Sequence, residues 1–132
     1  MKKKQETAKV RVTLLEEKIV ENVILENTVI DEELALHTKE KNEKTAGYKP
    51  YAVLVSAEQW TSITPEARKL IASPPFKKVT IAKAVVVNSL PQRMVVNFYL
   101  RFNKPSIPTR MFSNRDTAIK WLRNEVSKDN SN

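Results

Sequence analysis

Residues 51–56 read Tyr-Ala-Val-Leu-Val-Ser, and residues 79–87 read Val-Thr-Ile-Ala-Lys-Ala-Val-Val-Val. Tyr51–Val55 is the longest unbroken apolar run in the chain. A short run that is apolar at every position suits a parallel strand covered on both faces. The stretch 79–87 is dense in Val, Ile and Ala and reads as a central strand. Between the two lies Thr64-Pro65-Glu66, a strong helix start: Thr64 as N-cap, Pro65 at the first helical position and an acid next. Ala67, Leu70 and Ile71 then share one face, and Pro74-Pro75 ends the helix. The core of the sequence is thus strand, helix, strand.

The alternation extends outward. Upstream, Val10–Leu15 alternates with period 2 and reads as a half-buried strand. Glu16-Glu17-Lys18 is a polar break of hairpin length, and the β-branched stretch Ile19–Leu25 supplies the second strand. Asp31 can cap a helix with Glu32 and Glu33 in its first turn, Lys39, Lys41 and Lys44 toward its far end, and Gly47 at its stop. Downstream, Ser89-Leu90-Pro91 opens a helix with Pro91, Met94, Val95, Phe98 and Phe102 on one apolar face. Arg93, Asn97, Arg101 and Lys104 form a basic stripe opposite, and Pro105 stops the helix. Thr109–Phe112 is a short strand. Ser113-Asn114-Arg115-Asp116 resembles a capping box before a last helix carrying Ala118, Ile119, Leu122 and Val126, with Trp121 bordering that face. The order β-β-α-β-α-β-α-β-α predicts an α/β fold. An N-terminal antiparallel hairpin joins a mainly parallel sheet of about five strands, with about four helices packed on it by right-handed crossovers.

Composition limits the chemistry. The chain has 132 residues, enough for one domain. That domain is expected over residues 8–127, with disordered tails at 1–7 and 128–132. There is no cysteine, one histidine (His37) and one glycine (Gly47). Disulfides, thiolate catalysis and Cys-based zinc sites are excluded. So are multi-His metal clusters and the glycine-rich phosphate loops. No metal and no cofactor is expected, and the protein is read as non-enzymatic. The net charge is +8. Residues 1–44 carry 9 basic and 10 acidic side chains, residues 45–132 carry 14 and 5. A basic surface of that kind attracts acidic proteins, anionic lipid or nucleic acid, or simply stays solvated. The basic N-terminus is followed by no apolar stretch of signal-peptide length, and a cytoplasmic location is expected.

Several motifs carry a resemblance. Val53-Leu54-Val55-Ser56 followed by Ile63-Thr64-Pro65-Glu66-Ala67-Arg68 resembles the strand and "AR" helix of SpoIIAA-like STAS proteins. Ala84–Ser89 resembles the family's next strand and turn. Phe102-Asn103-Lys104-Pro105, Pro108–Phe112 and Ala118-Ile119-Lys120-Trp121-Leu122 are similar to its "KP…P…F…A…WL" ending. The resemblance covers about residues 51–123. It implies a STAS-like fold and a regulatory module that docks on a protein partner, with phosphorylation at the start of the helix after the central strand. Some relatives in this fold resemble lipid-binding modules instead. Where the family's switch reads Asp-Ser-Ser-Gly, this chain has Ser62-Ile63-Thr64-Pro65.

Candidate sites follow. Ser62 and Thr64 are the candidate phospho-acceptors, Thr64 doubling as a plain helix cap. Glu58, Trp60, Arg93, Asn97 and Arg101 form the candidate docking surface, since Trp anchors interfaces and guanidinium grips oxyanions. The alternative is a small apolar ligand or lipid held between sheet and helices near Phe98 and Phe102, with a basic rim. Tyr48, Tyr51 and Tyr99 beside basic residues evoke base stacking, but no RNP-type motif accompanies them, and nucleic acid is not an expected partner. A hydrolase reading would need Ser62 and His37 together. An oligomer is compatible with the sequence.

Overall fold

Period 2 in the N-terminal segment becomes a hairpin. Strand β1 (Val10–Glu16) pairs antiparallel with β2 (Ile19–Ile24). The turn places Lys18 at φ 68°, the left-handed conformation a tight reversal requires. The structure, a computed structural model, describes residues 9–130 apart from 75, 77 and 78. The tail expected at 1–7 lies outside the described residues.

After the hairpin come β3 (Val29–Ile30), α1 (Glu32–Thr45), β4 (Tyr51–Ala57), β5 (Ser62–Ile63) and α2 (Pro65–Ala72). The chain continues through β6 (Thr80–Val86), α3 (Leu90–Phe98), β7 (Thr109–Phe112) and α4 (Arg115–Asn130). The main sheet has the order β1-β2-β4-β6-β7. From β2 onward every neighbour is parallel. The chain therefore steps across the sheet in one direction. Right-handed crossovers taken in one direction put their helices on one face. That face receives α1, α2 and α3. The opposite face is covered by α4, which follows the last strand.

The two faces differ in packing. On the α4 face, Ile19, Ala52, Leu54, Ala82 and Ala84 meet Ala118, Ile119 and Leu122, all buried. Alanines on the central strands let the helix approach closely. Burying Leu54 and Leu122 completely contributes about 2–3 kcal/mol each. Trp121 borders this core against Phe112, their ring centroids 5.6 Å apart. Arg115 and Arg123 tie α4 to the hairpin through Glu21 (2.9 Å) and Glu16 (2.8 Å). On the other face the buried cluster is small: Val20, Tyr51 and Val53.

Four details depart from the sequence reading. Strands β3 and β5, each two residues long, form a separate parallel ladder too short to register as a pattern. The cap of α4 is Asn114, not Ser113: the Asn114 Oδ1 accepts from the Thr117 amide at 3.0 Å, while the helix begins at Arg115. Helix α4 runs on to Asn130, so residues 128–130, expected as tail, belong to it. The apolar face assigned to α3 is not buried: Met94 is 63%, Phe98 45% and Phe102 64% exposed. The helix turns Tyr99 inward instead, and Gln92 Nε2 pins its first turn to the Ala57 carbonyl at 3.0 Å. A π-helical turn over Tyr99–Asn103 then breaks the 3.6-residue period that the sequence reading extrapolated to Phe102. Lys104, at φ 47°, ends it.

Candidate ligand-binding site

The loosely packed face encloses a cleft of about 570 Å³. Its floor is the sheet: Ile24 of β2, Val53 and Val55 of β4, Lys83 and Val85 of β6. Its roof is α1 with Ala35 and Lys39, α2 with Arg68 and Ile71, and α3 with Val95 and Tyr99. The lining is mainly apolar. The reason is visible in residue sizes. Floor and roof meet largely through Val and Ala, while the bulky Met94, Phe98 and Phe102 point outward.

That volume is large for a protein interior, where voids rarely exceed a water molecule. An enclosed empty cavity of 570 Å³ would cost on the order of 10 kcal/mol. The whole stability of a domain is of that size. The cleft is partly open and is therefore filled by solvent or by a ligand. At liquid packing it accommodates roughly 20 non-hydrogen atoms.

Polar anchors hold the walls in place. Asn22 of β2 and Asn42 of α1 form a reciprocal amide pair, with N···O distances of 2.7 and 3.0 Å. Both residues are buried. Tyr51 is buried beside them, and that burial pushes its phenol up to about 12. Burial raises the Tyr99 phenol as well. Gln92 also accepts from the Asn88 amide at 3.0 Å, closing the turn between β6 and α3.

The charged lining is one-sided. Lys39, Arg68 and Lys83 line the cleft, and among the described residues no lining side chain is Asp or Glu. Lys39 Nζ lies 3.2 Å from the Glu43 carboxylate and 5.0 Å from the Phe76 ring centroid. Arg68 stacks on Phe98 at 4.8 Å. Its Nη1 donates to the Ile63 carbonyl at 3.3 Å, while Nε is buried and makes no hydrogen bond. Lys83 stands in mid-strand beside Val53, its Nζ 6.0 Å from the Tyr99 ring centroid.

The sequence-derived candidates divide between cleft and surface. Trp60, 76% exposed at φ 63°, and Ser62 line the cleft. Thr64 caps α2, its Oγ accepting from the Ala67 amide at 3.1 Å. Glu58 accepts from the Glu26 amide at 3.0 Å. Arg93 and Asn97 on α3 and Arg101 in the π-helical turn after it are exposed and outside the lining. Phe98 and Phe102 are not on the cleft wall either, although Phe98 backs Arg68. His37 is exposed on α1. Tyr51 and Tyr99 are buried, which removes them as an exposed stacking platform. Among the described residues no group of His, Asp and Glu is placed to hold a metal ion, and no helix is long and apolar enough to cross a membrane.

Sequence reasoning passed over Lys83 and used Arg68 only as a family signature. The signal for Lys83 was present. A lysine in the middle of an otherwise apolar parallel strand contradicts burial on both faces.

Sheet order, hairpin and helix placement define a SpoIIAA-like α/β fold. A crystal structure of an uncharacterized protein of the DUF3478 family from Shewanella loihica PV-4, described as having that fold, superposes with a TM-score of 0.57. The match covers 86% of this chain and 91% of that one at 11% identity. Residues 13–125 match a domain of unknown function, DUF7793, and the chain belongs to that family. No curated protein matches it.

Proposed function

We propose that the protein is a non-enzymatic binding module that holds a small, mainly apolar molecule between its sheet and helices α1–α3. The observation that carries the reading is the 570 Å³ apolar cleft on one sheet face, set against close packing on the other. Ligand sites are typically concave, apolar and a few hundred Å³ in volume, with a few placed polar groups. The single histidine is exposed on α1, which leaves the cleft without the commonest general base. Nile red, a neutral apolar dye, tests the reading. It is expected to bind at one site per chain with enhanced emission, and Val85→Trp, which fills the cleft, is expected to abolish binding while the circular dichroism stays native. Failure of the wild-type protein to bind the dye, or unchanged binding by Val85→Trp, contradicts it.

A second reading, a regulatory module docking on a protein partner, is favoured by the outer side of α3. Leu90, Met94, Phe98 and Phe102 are exposed there beside Arg93 and Arg101, and Trp60 is exposed after β4. Exposed apolar groups in a row mark interaction surfaces. In that reading phosphorylation of Ser62 or Thr64 would alter the docking face. Stoichiometric capture of a partner, lost in Trp60→Ala and Arg93→Glu, supports it; capture indifferent to both substitutions removes this surface.

A further inference from the structure

We propose that Trp60 is a ligand-binding residue that lies over the molecule held in the cleft and closes the cleft's mouth. The inference rests on the cleft reading above and assigns the side chain that completes the site.

Trp60 sits in the turn of residues 58–61 between β4 and β5. That turn is fastened on both sides to residues 24–28. The Glu58 amide donates to the Ile24 carbonyl at 2.8 Å, the Asn27 amide to the Gln59 carbonyl at 3.1 Å and the Ser62 amide to the Thr28 carbonyl at 3.0 Å. The Glu58 carboxylate also accepts from the Glu26 amide. The backbone is thereby fixed with Trp60 at φ 63°. This left-handed conformation suits glycine or asparagine and is unfavourable for a bulky aromatic. Five non-glycine residues adopt it among the described residues, and of these Trp60 alone lines the cleft.

The indole does not offset that cost by packing on its own protein, because it is 76% exposed. Its place in the fold gives it another role. The turn stands at the carboxyl end of β4, and the turn that leads into α3 follows the carboxyl end of β6, the parallel neighbour. Gln92 ties the two together through the Ala57 carbonyl at 3.0 Å. Open parallel α/β sheets take their ligands beyond the carboxyl ends of the strands. Both turns line the cleft, so a molecule filling the apolar space between sheet and helices meets the indole at the rim. Tryptophan suits a rim, with a large apolar body toward the ligand and a polar N–H toward water. Arg93 and Met94, on the outer side of α3, are outside the lining, which separates Trp60 from that surface.

The test titrates the full chain with 1-decanol below its solubility limit, followed by calorimetry and by tryptophan emission. The chain has two tryptophans, and Trp121 borders the core on the opposite sheet face. Emission is expected to shift to the blue along the calorimetric binding curve. Trp60→Phe, which keeps Trp121, is expected to lose the shift and retain part of the affinity. Covering a third of an indole corresponds to about tenfold in affinity, so Trp60→Gly is expected to bind decanol about tenfold more weakly. Its urea midpoint is expected to be no lower than that of the wild type, since glycine accepts the left-handed backbone. Calorimetric binding without an emission shift, a shift that persists in Trp60→Phe, or wild-type affinity in Trp60→Gly each overturns the role of Trp60 and leaves the cleft reading standing. Should Trp60→Gly fail to fold, its indole packs on the protein and the proposal falls. Absence of decanol binding to the wild-type chain overturns both readings.

Discussion

The two sheet faces should respond differently to the same kind of injury. Leu122 is fully buried in the α4 core, so Leu122→Ala removes its γ-carbon and both terminal methyls and leaves a hole that surrounding side chains fill only in part. The expected loss is about 3–4 kcal/mol. Val55 is half-buried on the cleft floor, with open space on one side. Val55→Ala deletes two methyl groups worth about 0.8 kcal/mol each when fully buried. Half of that contact is already absent, so the expected loss is about 1 kcal/mol. Urea denaturation followed by fluorescence measures both. In thermal melts the same losses correspond to roughly 10 °C and 3 °C for a chain of this size. Losses within about 1 kcal/mol of one another would mean that the cleft face is packed as tightly as the other, and the reasoning from face asymmetry would fail.

Asn42→Leu should cost about 2–4 kcal/mol because it strands the buried Asn22 carboxamide, and adding Asn22→Leu should recover most of the loss; a double-mutant cycle without coupling would show that water serves these amides. Tyr51 keeps its proton in the folded state to about pH 12 against about pH 10 unfolded, so stability is full below pH 10, declines by roughly 3 kcal/mol as pH rises from 10 to 12, and levels off above that. Alkaline denaturation curves of the wild type and Tyr51→Phe measure this, and a decline of equal size in the variant would assign it elsewhere. Thr64→Ala should cost about 1 kcal/mol through loss of the α2 cap, measured by urea midpoint. Met94→Glu, on the exposed side of α3, should change stability by no more than about 0.5 kcal/mol, and a larger drop would place that side chain against protein.

Much of the architecture could be read before the structure because its signals are local. Asp31, Thr64 and Ser89 each cap the helix expected of them. The apolar runs at Tyr51–Val55 and Val79–Val87 lie in β4 and around β6. What was not legible depends on non-local facts. The inward side of α3 is decided by Tyr99 and by Gln92 reaching across to Ala57, and apolar periodicity weights Met94 and Phe98 equally with the residues that do face the sheet. The short β3–β5 ladder is held by pairing across more than thirty residues and has no pattern of its own. The cleft is a property of what is missing between layers, and no single segment encodes it. Only the interrupted strand at Lys83 pointed toward it.

The most direct test of the central claim follows the methyl resonances of valine, leucine and isoleucine while a neutral apolar ligand, 1-decanol, is titrated into the protein. Val53, Val55, Val85 and Val95, on the floor and roof of the cleft, are expected to shift together along one saturable curve, with Leu54, Ile119 and Leu122 unmoved. A shift confined to Leu90 on the outside of α3, or no saturable shift at the cleft valines, would contradict a ligand site between the sheet and its three helices.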